Sequence, residues 1–311
     1  MAMSPTVAAI VPCYNEEISV AQVVKDLKAA VPDMDVYVYD NASTDRTSEV
    51  AAEAGAIIRK ESRKGKGNVV RRAFADVDAD IYVMIDGDDT YEAADLPVMI
   101  AALRDGPLDH VLGVRHPDET SSAYRKGHES GNKMFNRLVG RLFGETVTDM
   151  LSGYRVMSRR FVKSFPALSR EFEIETELTV HCMSLRVPQT EIPVGFRDRP
   201  AGSESKLRTF HDGFRILRVI AQLVQHERPM LFWGVLASVF ALVGLVLGVP
   251  VIWTFVQTGL VPRFPTAILA SSLIILAALC LVVGLVLVGI LKNRREAARL
   301  AYLQYGPVPT R

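Results

Sequence analysis

Two long stretches without a charged residue, Met230–Val256 and Thr266–Leu291, constrain this chain more than any other feature. A helix needs about 20 apolar residues to cross a hydrocarbon layer about 30 Å thick, and each stretch is longer than that. The pair predicts a C-terminal transmembrane hairpin, with a buried helical hairpin as the alternative. The boundaries are a first span at 230–256, an extracytoplasmic loop at 257–265, a second span at 266–291 and a cytoplasmic tail at 292–311. Arg228 precedes the first span and Lys292, Arg294, Arg295 and Arg299 follow the second, whereas the loop holds only Arg263. By the positive-inside rule both ends face the cytoplasm, and with them residues 1–207. Met1–Val7 carries no signal-peptide pattern, which agrees. Neither span holds an acidic or basic residue, so no ion or proton pathway is expected through them.

Charge excludes one broad class of function. Lys and Arg total 36 against 35 Asp and Glu, a net charge of +1, so no bulk electrostatic attraction to nucleic acid is expected. Cys13, Cys182 and Cys280 are far apart and form no C-x-x-C pair, as expected of reduced packing residues.

The first half alternates strands and helices. Thr6–Pro12, Asp35–Asp40, Ala56–Arg59 and Ile81–Ile85 read as strands. Between them come a helix with Val20, Val23, Val24 and Leu27 on one face, a second capped within Ser43–Asp45 and running to about Ala54, and a third from Gly67 to about Val77. That alternation predicts an α/β fold with a doubly wound, mostly parallel sheet. Right-handed crossovers would set the loops after strands one, two and four along one rim. Those loops carry Pro12, Tyr14, Asn15 and Glu16, then Asp40, then Asp86-Gly87-Asp88-Asp89-Thr90. Grouped carboxylates suit Mg²⁺ or Mn²⁺, held by a few oxygens together with substrate phosphates. An aromatic ring beside carboxylates suits a nucleoside, so the rim is expected to take a nucleotide diphosphate.

Val11-Pro12-Cys13-Tyr14-Asn15-Glu16, Asp40-Asn41-Ala42-Ser43-Thr44-Asp45 and Asp86-Gly87-Asp88 together resemble glycosyltransferase family 2. More narrowly they are similar to its polyprenyl-phosphate group, the dolichol-phosphate mannose synthases and bacterial undecaprenyl-phosphate glycosyltransferases. The resemblance covers about Thr6–Leu207 and implies a GT-A-type catalytic domain over residues 1–207. It implies an inverting, metal-dependent transfer of a sugar from a nucleotide-sugar to polyprenyl phosphate at the cytoplasmic face of the inner (plasma) membrane. It puts Pro12, Tyr14, Glu16, Asp40, Asp86, Arg199 and Lys206 at the nucleotide-sugar and Asp86, Asp88 and Thr90 at a Mg²⁺ or Mn²⁺ ion. Asp88 is thereby also expected to act in catalysis. Two positions depart from the family pattern: Asn41 stands where an aspartate is usual, and Thr90 where a glutamine is common.

The same resemblance places Arg115 and the segment around His128 and Asn132 at the acceptor phosphate, with His128 where an arginine often stands. Asp149-Met-Leu-Ser152-Gly153-Tyr154-Arg155 is similar to the D-x-x-S-G-Y/F-R motif and gives Asp149 the general-base position. Two roles stay open to Asp149, because a phosphate monoester with a second pKa of about 6 is already ionised near neutral pH. It removes a proton, or it orients the acceptor or sugar. Arg155 is a second catalytic candidate, pairing with Asp149 or with a phosphate. Glu173, Glu175 and Glu177 read as acids at a helix start, with metal binding the weaker expectation. Pro193–Leu207 reads as a cationic Gly/Ser-rich loop resembling the one that closes over the donor diphosphate, with Arg199 and Lys206 as its cations.

Residues 208–229, with Phe214, Leu217, Ile220 and Val224 among Arg215 and Arg218, predict an amphipathic interfacial helix. A processive polysaccharide synthase is disfavoured, since Gln222–Pro229 lacks the Q-x-x-R-W signature. A non-catalytic scaffold is disfavoured by the presence of Asp86, Asp88 and Asp149. UDP is the preferred nucleotide by analogy, with GDP-mannose as the alternative donor. The sugar is not legible, and the hairpin is compatible with a dimer or tetramer.

Overall fold

The computed structural model describes residues 5–117, 140, 147–169, 174–200, 225 and 227–309. The chain forms two compact units, Met1–Arg208 with Ala297–Arg311, and Thr209–Glu296.

In the first unit β1 (Val7–Cys13), β2 (Asp35–Asp40), β3 (Ile57–Lys60) and β4 (Ile81–Met84) run parallel in the order β3-β2-β1-β4, as the alternation predicts. Every residue of β4 is buried, which is why it reads as an unbroken apolar run: both faces of the sheet are covered. On one face α1 (Val20–Ala30) and α4 (Leu96–Asp105) pack through Val20, Val23, Val24, Leu27, Leu96, Met99 and Leu103. On the other, α3 (Lys66–Asp76), α5 (Arg159–Ser164) and α6 (Ile174–Leu185) supply Val70, Phe74, Phe161 and Leu178. Each such apolar side chain, fully buried, contributes roughly 1.5–3 kcal/mol.

The other half of the sheet departs from the parallel pattern. β5 (His110–Pro117), β6 (Arg155–Ser158) and β7 (Gln189–Phe196) complete the order β4-β6-β5-β7, with β6 antiparallel to both neighbours. Pro193–Phe196, read from sequence as the start of a loop, is the end of β7, paired in register with Val114–Pro117. β7 is the last strand in that order, where a proline costs no ladder bond to a further strand. The second helix also begins later than its sequence suggests: α2 spans Thr47–Glu53, and Asp45 accepts the Thr47 N–H at 3.0 Å from two residues upstream.

Residues from Ala297 onward pack back within the first unit. The phenol of Tyr302 donates to Asp109 Oδ2 at 2.7 Å, and Arg160 lies over the Tyr302 ring while binding the same carboxylate with two nitrogens.

In the second unit α7 (Pro229–Thr258) contacts α8 (Phe264–Leu303) through small residues. A Cβ on Gly244 would meet Ala270 O at 3.2 Å, and Ala237, Ala277 and Cys280 are buried nearby. Within each helix's apolar window only 17% is buried, the reverse of a soluble core hairpin.

Candidate active site

The ends of β1, β2 and β4 bring their loops to one rim, as expected. Three residues there hold positive φ without being glycine: Asn15 (55°), Ala42 (61°) and Asp89 (59°). Backbone strain of this kind persists only where the surroundings over-determine it, and it clusters at functional sites. Ser19 Oγ donates to Gly87 O at 2.8 Å and ties the start of α1 to the aspartate turn. A Cβ on Gly87 would overlap Cys13 Sγ, so the close approach of these two loops requires glycine.

Asp40, Asp86 and Asp88 are held differently. Asp40 accepts from Ser43 N at 2.8 Å and Ser48 Oγ at 2.5 Å. Burial opposes its ionisation, but the hydrogen bonds from Ser43 and Ser48 outweigh that and hold its pKa below the usual value. Asp88 is buried, accepts from Thr90 Oγ1 at 2.7 Å and pairs with Arg199 Nη2 at 2.5 Å. Burial first and the nearby Asp86 charge second push its pKa up, against the pull of Arg199. Asp86 pairs with Lys66, and its carboxylate presses on Gly153, where a Cβ would lie 2.5 Å from Oδ2. Arg197, from the chain after β7, donates to Asp89 O at 3.0 Å and Asp89 Oδ1 at 2.5 Å, bracing the same turn.

Lys66 was missed from sequence, and Glu175 was read there as an acid at a helix start. Lys66 opens α3 and lies buried between Asp86 and Glu175, its Nζ 2.5 Å from Glu175 Oε1. Burial disfavours its charge, yet the two carboxylates more than compensate and its pKa is raised. Among the described residues, Glu175 Oε2 is buried without a hydrogen-bond partner. Of the alternating glutamates, Glu173 lies outside the described residues, Glu175 faces Lys66, and Glu177 accepts the N–H groups of Leu168 and Ser169. No signal short of the tertiary fold marks Lys66, because a lysine at a helix start reads as a solvated cation.

Asp149 and Arg115 meet. Arg115 Nε and Nη2 grip the buried Asp149 carboxylate at 2.7 and 2.6 Å, and the Arg115 guanidinium lies 5.5 Å from the Phe196 ring centroid. The sequence reading offered Arg155 either Asp149 or a phosphate as its partner. Arg155 is instead fully buried and donates to Met150 O at 2.8 Å, Ser152 O at 3.0 Å and Thr179 Oγ1 at 2.9 Å. It holds the Asp149–Gly153 loop from beneath, because that loop's inward carbonyls need donors in a dry interior. Burial pushes its pKa down to about 10, so it stays charged at neutral pH. His128, Asn132 and Lys206 lie outside the described residues, as does most of 208–229.

Arg155 Nη1 also faces His110 Nε2 at 3.3 Å, which requires that nitrogen to accept and the imidazole to be neutral. Burial and then the Arg155 charge push the His110 pKa down to about 3, and burial pushes His181 down to about 4. An unfolded histidine titrates near 6.5, so between about 6.5 and these folded values only the unfolded chain takes up protons. Stability present above about pH 6.5 is therefore expected to fall as pH drops through that window, by up to about 1.4 kcal/mol per pH unit for each histidine. Chemical denaturation between pH 7 and pH 5 measures the slope, and His181→Gln should remove one histidine's share.

The donor set fits a divalent cation in part. Asp86, Asp88 and the Thr90 hydroxyl are hard oxygens, and Asp88 already carries a cationic partner in Arg199. Among the described residues no cluster of three or more His, Cys, Asp or Glu side chains could hold an ion alone. Such a site needs oxygens from a bound phosphate or water, as Mg²⁺ and Mn²⁺ sites commonly do.

Residues 8–165 match the family described as Glycosyl transferase family 2. The glycosyltransferase AglJ of Haloferax volcanii is 34% identical over 80% of this chain and 82% of its own. The chain belongs to glycosyl transferase family 2. It is therefore a glycosyltransferase with a GT-A-like fold. Another relative, a dolichyl-phosphate hexose transferase of the same organism, is 29% identical over 71% of this chain and 95% of its own. Among solved structures, glucosyl-3-phosphoglycerate synthase from Mycobacterium tuberculosis in complex with Mn²⁺, UDP-glucose and phosphoglyceric acid aligns with a TM-score of 0.59 at 24% identity. That alignment covers 71% of this chain and 79% of the synthase, and it bears on the fold alone.

Proposed function

We propose that this glycosyltransferase moves a sugar from a nucleotide-sugar, a UDP-sugar by preference, to polyprenyl phosphate at the cytoplasmic face of a membrane. The observation that carries the reading is the pairing of buried Asp88 with Arg199 beside Asp86, a charge-balanced rim at the end of β4. The relative named for dolichyl phosphate supports the acceptor class.

Tyr14 and Asp40 take the nucleoside, with Pro12 and Glu16 shaping its loop. Asp86, Asp88 and Thr90 would hold Mg²⁺ or Mn²⁺, which neutralises the leaving diphosphate. An oxygen of the lipid phosphate attacks the anomeric carbon from the face opposite the diphosphate. The bond from that carbon to the diphosphate oxygen breaks, the nucleoside diphosphate leaves with the electron pair, and the configuration inverts. Arg199, and Lys206 beyond the described residues, supply positive charge where it develops in the transition state. Arg115, His128 and Asn132 take the acceptor phosphate. The ionised acceptor needs no proton removed, so Asp149 acts by orienting Arg115. Arg155 positions the Asp149 loop and touches no substrate. α7 and α8 are the two membrane spans, 230–256 and 266–291, with the catalytic domain on the cytoplasmic side and residues 208–229 at the interface. Paired spans of this kind favour a homo-oligomer.

The test is transfer by the detergent-purified chain, offered undecaprenyl phosphate and UDP- or GDP-sugars with Mn²⁺ or EDTA. A metal-dependent glycolipid from one donor is the expected product. Donor hydrolysis without glycolipid would sink the acceptor, and product from GDP-mannose alone would replace UDP.

A further inference from the structure

Asn41 directly follows β2 and is buried. Its Nδ2 donates to Glu61 O at 3.0 Å and to Arg63 O at 2.7 Å, while its Oδ1 accepts the Gly65 N–H at 2.6 Å. Only this orientation of the amide satisfies all three groups. A carboxylate in its place would still accept from Gly65, but it would set negative oxygens against two carbonyls.

The side chain thus fastens the whole 61–65 loop at its beginning, middle and end. Gly65 holds φ at 121°, a backbone that L side chains rarely adopt, immediately before α3. Two cations depend on that geometry. The Lys64 ammonium lies 4.8 Å from the Tyr14 ring centroid and 3.1 Å from its hydroxyl. Lys66, the first residue of α3, meets Asp86.

We infer that Asn41 is a positioning residue for donor binding: through the 61–65 loop it sets Lys64 against Tyr14 and so shapes the nucleotide side of the rim. The amide itself touches no donor. This inference rests on the nucleotide-sugar reading of the rim.

The test is calorimetric titration of UDP with Mn²⁺ into the full-length chain in detergent, for wild type, Asn41→Asp, Lys64→Met and the double variant. Asn41→Asp keeps shape and should weaken UDP about tenfold. In the Lys64→Met background the same change should weaken it by less than about threefold, since the Lys64–Tyr14 route to the nucleotide is already cut and only the Lys66–Asp86 contact remains. Asn41→Ala carries the same cycle if the aspartate variant does not fold. Wild-type affinity in the Asn41 variants, or an equal factor in both backgrounds, overturns the inference and leaves a merely structural asparagine. A wild-type chain that binds neither UDP nor GDP with Mn²⁺ overturns the donor reading itself, and this inference with it.

Discussion

Asp88→Asn is expected to lower kcat for glycosyl transfer about a hundred- to a thousandfold without lowering stability. The activity loss follows from where charge develops. A leaving diphosphate needs fixed positive charge, and removing one group that organises such charge in a water-poor site commonly costs that factor. Asparagine keeps an oxygen for the Thr90 hydroxyl but neither anchors Arg199 as an ion pair nor binds a divalent cation well. Stability should move the other way or not at all. Burial and the neighbouring Asp86 make the Asp88 charge unfavourable in the folded state, as its raised pKa records, and the neutral amide removes that penalty. Arg199 is partly exposed and rehydrates when its partner is lost. The paired measurement is kcat and thermal midpoint on the same preparation. Activity within threefold of wild type would remove Asp88 from the catalytic centre.

Lys66→Met should be the most destabilising single change at the rim, by about 3–5 kcal/mol, the usual consequence of removing one partner from a buried ion pair. Methionine replaces the aliphatic stem of Lys66 but leaves two carboxylates facing each other across the gap. Asp86 keeps partial access to water, whereas the Glu175 side chain is only 5% exposed and has none to speak of. The loss should therefore arise mostly at Glu175. Glu175→Gln added to Lys66→Met should return part of it, because the amide no longer buries an uncompensated charge. Urea denaturation of the two single variants and the double variant gives the coupling energy directly. A double variant no more stable than Lys66→Met alone would show that the loss lies elsewhere.

The legible parts of this molecule are those fixed by local pattern. Ile81–Ile85 reads as a buried strand because both faces of the sheet are covered, and Asp86 and Asp88 follow it onto the rim for the same reason. Tyr14, Asp40 and Asp88 could be placed on the rim because each stands at or shortly past a strand end. β6 could not be seen in advance: it is four residues long, opens with an arginine, and is a strand only because β4 and β5 flank it. Arg155 misleads for a related reason. Its donors serve Met150 and Ser152 carbonyls, and nothing in its neighbours' identities says those carbonyls turn inward. Lys66 meets Asp86 and Glu175 only after three separate elements have packed. Asn41 appeared as a departure from the family pattern, and its structural use of the amide becomes visible only with the 61–65 loop in place.

The return of Tyr302 to Asp109 bears on how the chain is made. Asp109 and Tyr302 are 193 residues apart, and the two uncharged apolar stretches, 230–256 and 266–291, are synthesised between them. On the ribosome the sheet can form early, with Asp109 already held by Ser158 and Arg160. Its last bond waits until both apolar segments have been synthesised. Completion of the first unit is thereby coupled to passage of the hydrophobic segments out of the exit tunnel, so its final packing follows their synthesis rather than preceding it.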